Sequence, residues 1–562
     1  MADLSPRQRL DAALRAASAQ REAEIPMRDG LMLAADVYLP AGAGPEARVP
    51  AVVLGTPYDK RSPMHVVEAR LYQDHGYAFV AYDCRGRGKS EGVWRAFAQD
   101  GPDGHDVVEW AAAQAWCDGR IGTTGLSYSG WNQWATARER PPHLRAMISS
   151  AAAGRWQEEI PYTFGVFQLY FAQWLYRTRR RMVATGEVDW KRVLRTLPVT
   201  RLMASLGVDG PTWADMRAHD TLDAFWRALR LDEDYGRLDV AVLHVNGWYD
   251  LEDLLGGFAH YEGMAAASPA RQRLIVGPWP HVGTRWPERR YGGLDFGPEA
   301  APDMDEIHLR FFDHHLKGIA NGVDREAPVR LFETGSNVWR DLSALPATRE
   351  ASLYLHAAGE AGVLSGRPPT AAEAPRRYRY DPEDPVTTPL DFGRLAYDEV
   401  PFDQAYVEGR DDCLVYTGAP LVRPLTVCGW PRLELFASTD GDDTDWHVRL
   451  TDVTPEGRSL RVASGCLRAA CRDDLAAPTP VVAGAVTRYE VELGPIAHTF
   501  LPGHRIRLLV TSSDFPWFAR SMNRFGRVVD LAEPRVAANA VHHGPATASR
   551  LRLPVWRGTP PA

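Results

Sequence analysis

The hexapeptide Gly125-Leu126-Ser127-Tyr128-Ser129-Gly130 constrains the fold of this chain more than any other feature. It closes a short strand-like run at 121–126 and precedes a helical pattern at 131–138. A serine with small neighbours between a strand and a helix is typical of a nucleophile elbow, where a strained turn exposes the hydroxyl above the sheet edge. The sequence therefore predicts that Ser127 is a nucleophile.

The pattern around this elbow predicts the architecture. Strand-like runs at 50–54, 77–82 and 145–149 alternate with helical patterns, which indicates a mostly parallel sheet covered by helices. Between 151 and 237 the β signal gives way to aromatic-rich helical patterns, and it returns at 240–246 and 272–276. After 328 nearly all patterns are short β runs separated by turns, as in a β-sandwich or jelly roll.

These patterns predict an α/β protein with a C-terminal all-β domain. We expect residues 1–150 and 239–325 to form the two parts of the sheet domain, and residues 151–238 to form an inserted helical cap. Residues 326–562 are expected to form the β-sandwich, of jelly-roll type.

Composition excludes several classes of function. The net charge of −8 and pI of about 6.1 leave no basic field for nucleic acid or an anionic membrane. The first 20 residues lack the apolar core of a signal peptide, and no run is apolar enough to span a bilayer. The six cysteines show no zinc spacing. We therefore expect a cytoplasmic protein with reduced thiols and no metal or cofactor; a homo-oligomer stays open.

Two further strand ends offer partners for Ser127. The run 240–246 leads into Gly-Trp-Tyr-Asp, which ends at Asp250, and the run 272–276 leads into Gly-Pro-Trp-Pro-His, which ends at His281. The chain order Ser, Asp, His is that of α/β-hydrolases. We therefore predict that His281 is the base and that Asp250 orients it. Taken singly, the aspartate could equally be a helix N-cap and the histidine an ordinary core or surface residue.

An oxyanion hole needs the backbone N–H after the nucleophile, here that of Tyr128, and a second donor from an early loop. The chain lacks a His-Gly-Gly-Gly segment, but Thr-Pro-Tyr-Asp-Lys follows the run 51–54. The hydroxyl of Tyr58 is therefore the second predicted donor, with an ordinary turn as the alternative.

Several motifs together resemble one family. They are TPYDK, DCRGRGKSEG at 83–92, DGHDVVEWAAAQAWCDGRIGTTGLSYSG at 103–130, GWYD, GPWPH, FFDHHLKG at 311–318 and SSDFPWFARSMNRFG at 512–526. The set is similar to the cocaine esterase, X-prolyl dipeptidyl-peptidase and α-amino acid ester hydrolase group over nearly the whole chain. The resemblance implies an α/β-hydrolase sheet, a helical cap and a jelly-roll domain, with Ser127, Asp250, His281, Tyr58 and Tyr128 in the roles given above.

The substrate is less constrained. The amino acid ester hydrolases that this chain resembles hold the substrate ammonium with a cluster of carboxylates. One of these carboxylates lies three residues after the nucleophile, and at that position this chain has Gly130. Glu252, next to Asp253, could replace it, or both could be acidic residues of a helix first turn. We expect a small-molecule ester or amide substrate and a carboxylesterase or acylase. The alternatives are an α-amino acid ester hydrolase or β-lactam acylase, an X-prolyl dipeptidyl-peptidase, and a carbohydrate-binding or scaffold protein.

The predicted cap carries an aromatic stripe. Phe164, Phe167, Phe171 and Trp174 recur at spacings of three and four, which predicts one helical face. Such a stripe is usually core, but a cap also covers the acyl pocket, so Trp156 and Trp174 are candidate substrate contacts.

Overall fold

A computed structural model describes residues 20–268, 271–358, 361–388 and 403–557. The first 20 residues, for which the sequence predicts no signal peptide, lie almost entirely outside the described residues. Among the described residues, the first part of the chain builds most of one sheet and three helices. Its elements are β1 (Gln20–Pro26), β2 (Met32–Tyr38), β3 (Val49–Thr56), α1 (Pro63–Asp74), β4 (Ala78–Asp83), α2 (Asp100–Ala112), β5 (Cys117–Leu126), α3 (Tyr128–Arg138) and β6 (Leu144–Ser150).

An insertion of short elements follows β6. It contains β7 (Tyr162–Thr163), β8 (Val166–Phe167), α4 (Phe171–Thr178), α5 (Trp190–Val193), α6 (Val199–Ser205), α7 (Pro211–Ala218) and α8 (Ala224–Arg227). The predicted single helical face is wrong, because Phe164 and Phe167 lie in the β7–β8 hairpin and only Phe171 and Trp174 lie on α4. Phe164 has a φ of 46° and Gly165 a φ of 86°, and these left-handed conformations make a turn where a helix cannot continue.

The chain then returns to the first sheet. The elements are β9 (Ala241–Gly247), α9 (Leu254–Ala267), β10 (Gln272–Gly277), β11 (Arg290–Tyr291), β12 (Leu294–Asp295), α10 (Met304–His315), β13 (Val329–Glu333) and β14 (Val338–Leu342). The ten strands have the order β1-β2-β4-β3-β5-β6-β9-β10-β13-β14. Pairing from β4 through β13 is parallel. The sheet thus runs to Leu342, beyond the boundary expected at 325, because β13 pairs with β10 and β14 pairs with β13.

Helices cover both faces of this sheet, as a buried parallel sheet requires. Successive side chains of β3 enter opposite cores. Val53 packs with the core that contains Trp131 of α3, whereas Val52 and Leu54 pack with the core that contains Phe312 of α10. The carboxyl ends of the parallel strands therefore meet at one edge, where the loops after β3, β5, β9 and β10 converge.

The described residues after Leu342 form almost entirely β structure. Its elements are β15 (Thr348–Ala358), β16 (Ala361–Ser365), β17 (Glu373–Tyr380), α11 (Ala405–Glu408), β18 (Leu414–Gly418), β19 (Leu425–Gly429), β20 (Arg432–Thr439), β21 (Asp445–Val453), β22 (Ser459–Arg468), β23 (Thr487–Glu492), β24 (Ile496–Phe500), β25 (Arg505–Thr511), β26 (Ala537–His543) and β27 (Arg550–Trp556). The α/β class with a C-terminal all-β domain is confirmed. The jelly-roll topology stays a prediction.

The C-terminal domain contacts the insertion after β6 through a loop after β25. The ring of Trp517 stacks on that of Tyr170 with centroids 4.9 Å apart, and the Ala519 N–H donates to the Phe167 carbonyl at 2.8 Å. Trp517 and Ala519 both belong to the segment 512–526, which is one of the motifs that carry the sequence resemblance.

Candidate active site

Ser127 occupies a strained turn between β5 and α3. Its φ of 63° and ψ of −126° lie where a residue with a side chain is rarely found. A Cβ atom on Gly125 would lie 2.5 Å from the Ser129 carbonyl oxygen, and one on Gly130 would lie 2.7 Å from the Ser150 carbonyl oxygen. The strand and the helix approach so closely here that both positions need glycine, which explains the small residues around the serine.

The structure brings Asp250 and His281 together. They lie in the loops after β9 and β10, two parallel neighbours whose last residues, Gly247 and Gly277, are paired. Nδ1 of His281 is 3.1 Å from each carboxylate oxygen of Asp250. Both side chains are buried, so this hydrogen bond is shielded from water and fixes the orientation of the imidazole.

Tryptophans and glycines set the course of these two loops. A Cβ on Gly247 would lie 2.2 Å from the Trp279 carbonyl oxygen, and one on Gly277 would lie 2.1 Å from the Trp279 indole. The indole N–H of Trp279 donates to the Ala300 carbonyl at 2.6 Å. The Gly-Trp and Gly-Pro-Trp patterns therefore reflect close packing beneath Asp250 and His281.

Tyr58 follows β3 at the same sheet edge. Its hydroxyl lies within hydrogen-bonding reach of Ser127 and accepts a hydrogen bond from the indole N–H of Trp174 at 2.9 Å. Burial raises the pKa of Tyr58 to about 12, so the hydroxyl keeps its proton at neutral pH. Because its oxygen already accepts from Trp174, that proton is free to point toward a developing oxyanion.

A buried ion pair fixes the loop that carries Tyr58. The ammonium of Lys60 lies 2.8 Å from Asp83 Oδ2, and the Lys60 N–H donates to Asp83 Oδ1 at 2.9 Å. The intervening Asp59 has a φ of 88°, a left-handed conformation that turns the chain sharply. The loop is therefore held by a charged anchor directly after the tyrosine.

The two candidate cap tryptophans occupy different environments. Trp174 is partly exposed, and it contacts Tyr58 as well as the aromatic ring of Phe97, at a centroid distance of 5.8 Å. Trp156 has no exposed surface, and its ring packs against those of Phe97 and Trp131 at 4.6 and 5.0 Å. Sequence reasoning missed the role of Trp174 beside Tyr58, since no local pattern links residues so far apart in the chain. Contact of either residue with substrate stays a prediction.

Tyr128 begins α3, and its side chain points into a buried polar network. Its hydroxyl donates to Asp100 Oδ2 at 2.8 Å and accepts from the Phe97 N–H at 2.9 Å. Asn132 donates to the other oxygen of Asp100 at 3.0 Å, and burial raises the pKa of Asp100 to about 6. This network holds the residue whose N–H is a predicted oxyanion donor. Asp100 carries no motif, so the sequence did not indicate it.

Two further carboxylates surround the imidazole. The N–H groups of Glu252 and Asp253 donate to Asp250 Oδ1 at 3.0 and 3.3 Å. Glu252 Oε1 lies 3.8 Å from His281 Nε2, and Asp253 Oδ2 lies 3.9 Å from His281 Nδ1. Within the described residues, Glu252 Oε1 and Asp253 Oδ1 are buried without a hydrogen-bond partner.

This acidic environment changes the protonation of both partners. Burial raises the pKa of Glu252 to about 7. Burial would lower the pKa of His281, but the carboxylates of Glu252 and Asp250 outweigh it and raise that pKa to about 10. A neutral imidazole is the form that can accept a proton from a serine. A cation beside Glu252 would therefore favour the neutral form of His281.

Neither a metal-binding cluster nor a helix long and apolar enough to cross a membrane is found in the described ranges.

Comparisons with known proteins agree with this architecture. The family described as X-Pro dipeptidyl-peptidase (S15 family) matches residues 29–283, and the X-Pro dipeptidyl-peptidase C-terminal non-catalytic domain matches residues 321–552. Cocaine esterase from Rhodococcus sp. (strain MB1 Bresler) is 31% identical, over 94% of this chain and 97% of that protein.

Two solved structures superpose over nearly the full length. An α-amino acid ester hydrolase has a TM-score of 0.86 and 28% identity over 95% of this chain and 96% of that one. An aminopeptidase from the marine sediment archaeon Thaumarchaeota archaeon has a TM-score of 0.86 and 28% identity over 96% of both chains. The chain therefore belongs to the X-Pro dipeptidyl-peptidase (S15) and cocaine esterase family, and it is a serine hydrolase that acts on ester or amide bonds.

Proposed function

We propose that Ser127 is the nucleophile of this hydrolase, with His281 as its base and Asp250 as the residue that orients the base. Ser127 Oγ attacks the substrate carbonyl carbon while its proton passes to His281. The tetrahedral oxyanion is held by the Tyr58 hydroxyl and the Tyr128 N–H. His281 then protonates the leaving alcohol or amine, and an acyl-enzyme forms. Water, deprotonated by His281, releases the acid and restores the serine.

The observation that carries this proposal is the placement of three groups at one sheet edge. The strained serine, the buried His281–Asp250 hydrogen bond and the Tyr58 hydroxyl lie on loops after four strands of one sheet. This arrangement supplies a nucleophile, a base with its orienting carboxylate, and an oxyanion donor, which are the groups that acyl transfer to water requires.

We place the substrate among small-molecule esters and amides, as for a carboxylesterase or acylase. A panel of p-nitrophenyl esters and anilides of increasing acyl size tests this assignment, with Ser127→Ala as the control. Turnover of short-chain esters that is lost in the control supports it. No turnover of any activated ester by the wild-type chain, or equal turnover by Ser127→Ala, would contradict it.

A second candidate is selectivity for acyl groups that carry an α-amino group. The observation that favours it is the pair of buried, unpartnered carboxylate oxygens of Glu252 and Asp253 beside His281. Buried carboxylate oxygens without a hydrogen bond are costly, and an ammonium group would donate hydrogen bonds to them. The solved structures named above include an α-amino acid ester hydrolase and an aminopeptidase, which supports the same direction.

Phenylalanine methyl ester and 3-phenylpropionate methyl ester form a matched pair that separates the two candidates. If Glu252 meets the ammonium, the wild-type enzyme prefers the amino ester, and Glu252→Gln raises KM for that ester by about tenfold or more while sparing the other. A wild-type preference for the des-amino ester, or an equal response of both esters to the substitution, would contradict α-amino selectivity and favour a simple esterase.

We also propose the division of the chain into a sheet domain, a cap at 151–238 and a C-terminal β-domain, with the last boundary after Leu342. The pairing of β13 and β14 with the first sheet supports this boundary. We propose a cytoplasmic location, which the six buried cysteines, none of them in a disulfide, support.

A further inference from the structure

A cavity of about 220 Å³ lies where the cap meets the sheet domain. Residues of the loop after β4, of α4 and the segment after it, and of the start of α7 line it. One lining residue, Trp94, has its ring 5.5 Å from that of Trp174, whose indole donates to Tyr58. Ser127 and His281 do not line this cavity, so it is distinct from the candidate active site.

The lining carries a strong positive charge. Four arginines contribute to it, Arg87, Arg179, Arg180 and Arg181, and the lining includes no aspartate or glutamate. None of the four forms an ion pair within the described ranges. Arg87 differs in this respect from other buried arginines such as Arg449, which pairs with Asp514 at 2.9 Å.

Arg87 is the buried centre of this group. Its side chain is 1% exposed and lies over the Trp94 ring at 4.9 Å. Nε donates to the Pro57 carbonyl and Nη1 to the Thr178 carbonyl, each at 2.7 Å, and Nη1 also contacts the Arg180 carbonyl. Nη2 is buried without a hydrogen-bond partner among the described residues.

An arginine in this position needs a counter-charge. Burial lowers the pKa of Arg87, but a guanidinium does not lose its proton in proteins. Carbonyl oxygens satisfy its N–H groups without neutralising the charge, and an isolated buried charge is costly. Arg87 lines the cavity, so its charge favours an anion there.

The start of α7 adds to the positive electrostatic potential of the cavity. The helix begins at the cavity wall with Gly210 as its N-cap, which has no side chain to cap the first N–H groups. The hydroxyl of Thr212 accepts from the Ala96 N–H at 3.0 Å. The positive end of the helix dipole and its free N–H groups favour an anion at this point.

We propose that this arginine-lined cavity binds a small oxyanion ligand, one that carries a phosphate or carboxylate group. Guanidinium groups bind both kinds of oxyanion through paired N–H donors, so the two share one recognition chemistry. The cavity is smaller than the roughly 300 Å³ of most drug-sized sites, which restricts the ligand to inorganic anions and small metabolites. Arg87 also bonds Pro57, the residue before Tyr58, so the occupied site adjoins the loop of the oxyanion donor.

Calorimetric titration of the full chain with sodium phosphate and with sodium citrate, at ionic strength held constant with sodium chloride, tests the proposal. We expect saturable binding with one site per chain for at least one of the two anions; whichever binds identifies the group that is recognised. The variants are Arg180→Gln/Arg181→Gln, which alters exposed side chains, and Arg87→Lys, which keeps the charge and loses the planar fork. The control is Arg201→Gln, an exposed arginine of α6 outside the cavity lining.

At least one of the two cavity variants should raise Kd by about tenfold or more, as expected for the loss of charge-assisted hydrogen bonds. The control should keep the wild-type Kd. Melting temperatures without anion identify a variant that has failed to fold, and the other variant then decides. Wild-type protein that shows no saturable binding beyond that of chloride would overturn the proposal. Wild-type affinity in both cavity variants would overturn it as well.

Discussion

Replacement of Glu252 by glutamine should shift the pH dependence of catalysis toward acid. Glu252 Oε1 lies 3.8 Å from His281 Nε2 in a buried site. Two unit charges at that distance interact with about 4 kcal/mol at an effective dielectric constant of about 20, which corresponds to about 3 pKa units. The pKa of Glu252 is raised to about 7, so its carboxylate is charged at the higher pH at which His281 titrates. We therefore expect a shift of about 3 units.

The direction follows from the charge that is removed. The carboxylates stabilise the imidazolium and hold the pKa of His281 above its usual value, to about 10. In the proposed mechanism the neutral imidazole is the base, so activity should rise as the pH passes through this pKa. Without the Glu252 charge the pKa falls, and the rising limb moves to lower pH.

The measurement is kcat/KM against pH from 5.5 to 10 with p-nitrophenyl acetate, a substrate without an ammonium group. Glu262→Gln, on α9 and hydrogen-bonded to Trp430 at 3.4 Å, is the matched control because it removes a carboxylate away from the imidazole. A rising limb that stays in place in Glu252→Gln, or moves to higher pH, would refute the electrostatic reasoning.

Three other substitutions test the proposed groups. A fluorophosphonate should label Ser127 alone, and Ser127→Ala should keep the fold and lower kcat by about 10⁴- to 10⁶-fold; labelling of another residue would contradict the mechanism. Tyr58→Phe should lower kcat by about 10²- to 10³-fold with little change in KM, and a wild-type kcat would make the tyrosine an ordinary turn residue. Trp174→Phe removes the hydrogen bond to Tyr58, so kcat should fall by about tenfold; the double variant with Tyr58→Phe should then lose little more than Tyr58→Phe alone, and additive losses would separate the two residues.

The sequence predicted those parts of the molecule that depend on local patterns. The alternation of strands and helices and the small residues around Ser127 report steric demands that act within a few residues, and the structure shows those demands at Gly125 and Gly130. The loops of Asp250 and His281 were predicted to meet because the carboxyl ends of parallel strands share an edge, and the structure places the two side chains in hydrogen-bonding contact.

The features that the sequence did not predict depend on contacts between segments that are distant in the chain. The aromatic spacing at 164–174 fits a helix, but the left-handed turn at Phe164 and Gly165 divides it into a hairpin and a helix. The two strands after 325 resemble those of the following domain, and only the pairing of β13 with β10 and of β14 with β13 assigns them to the first sheet. Asp100 and Arg87 owe their roles to burial, which no spacing indicates.

The hydrogen bond from Trp174 to Tyr58 joins the inserted segment to the sheet domain at a proposed oxyanion donor. The segment that we expect to cover the acyl pocket therefore also supplies the hydrogen-bond partner of Tyr58. A chimera that carries a foreign cap would therefore acquire a new acyl preference and lose turnover unless an indole is restored at position 174. Laboratory selection for new substrates should retain Trp174 while neighbouring residues vary. Its retention would indicate that this residue supports turnover whichever substrate is selected.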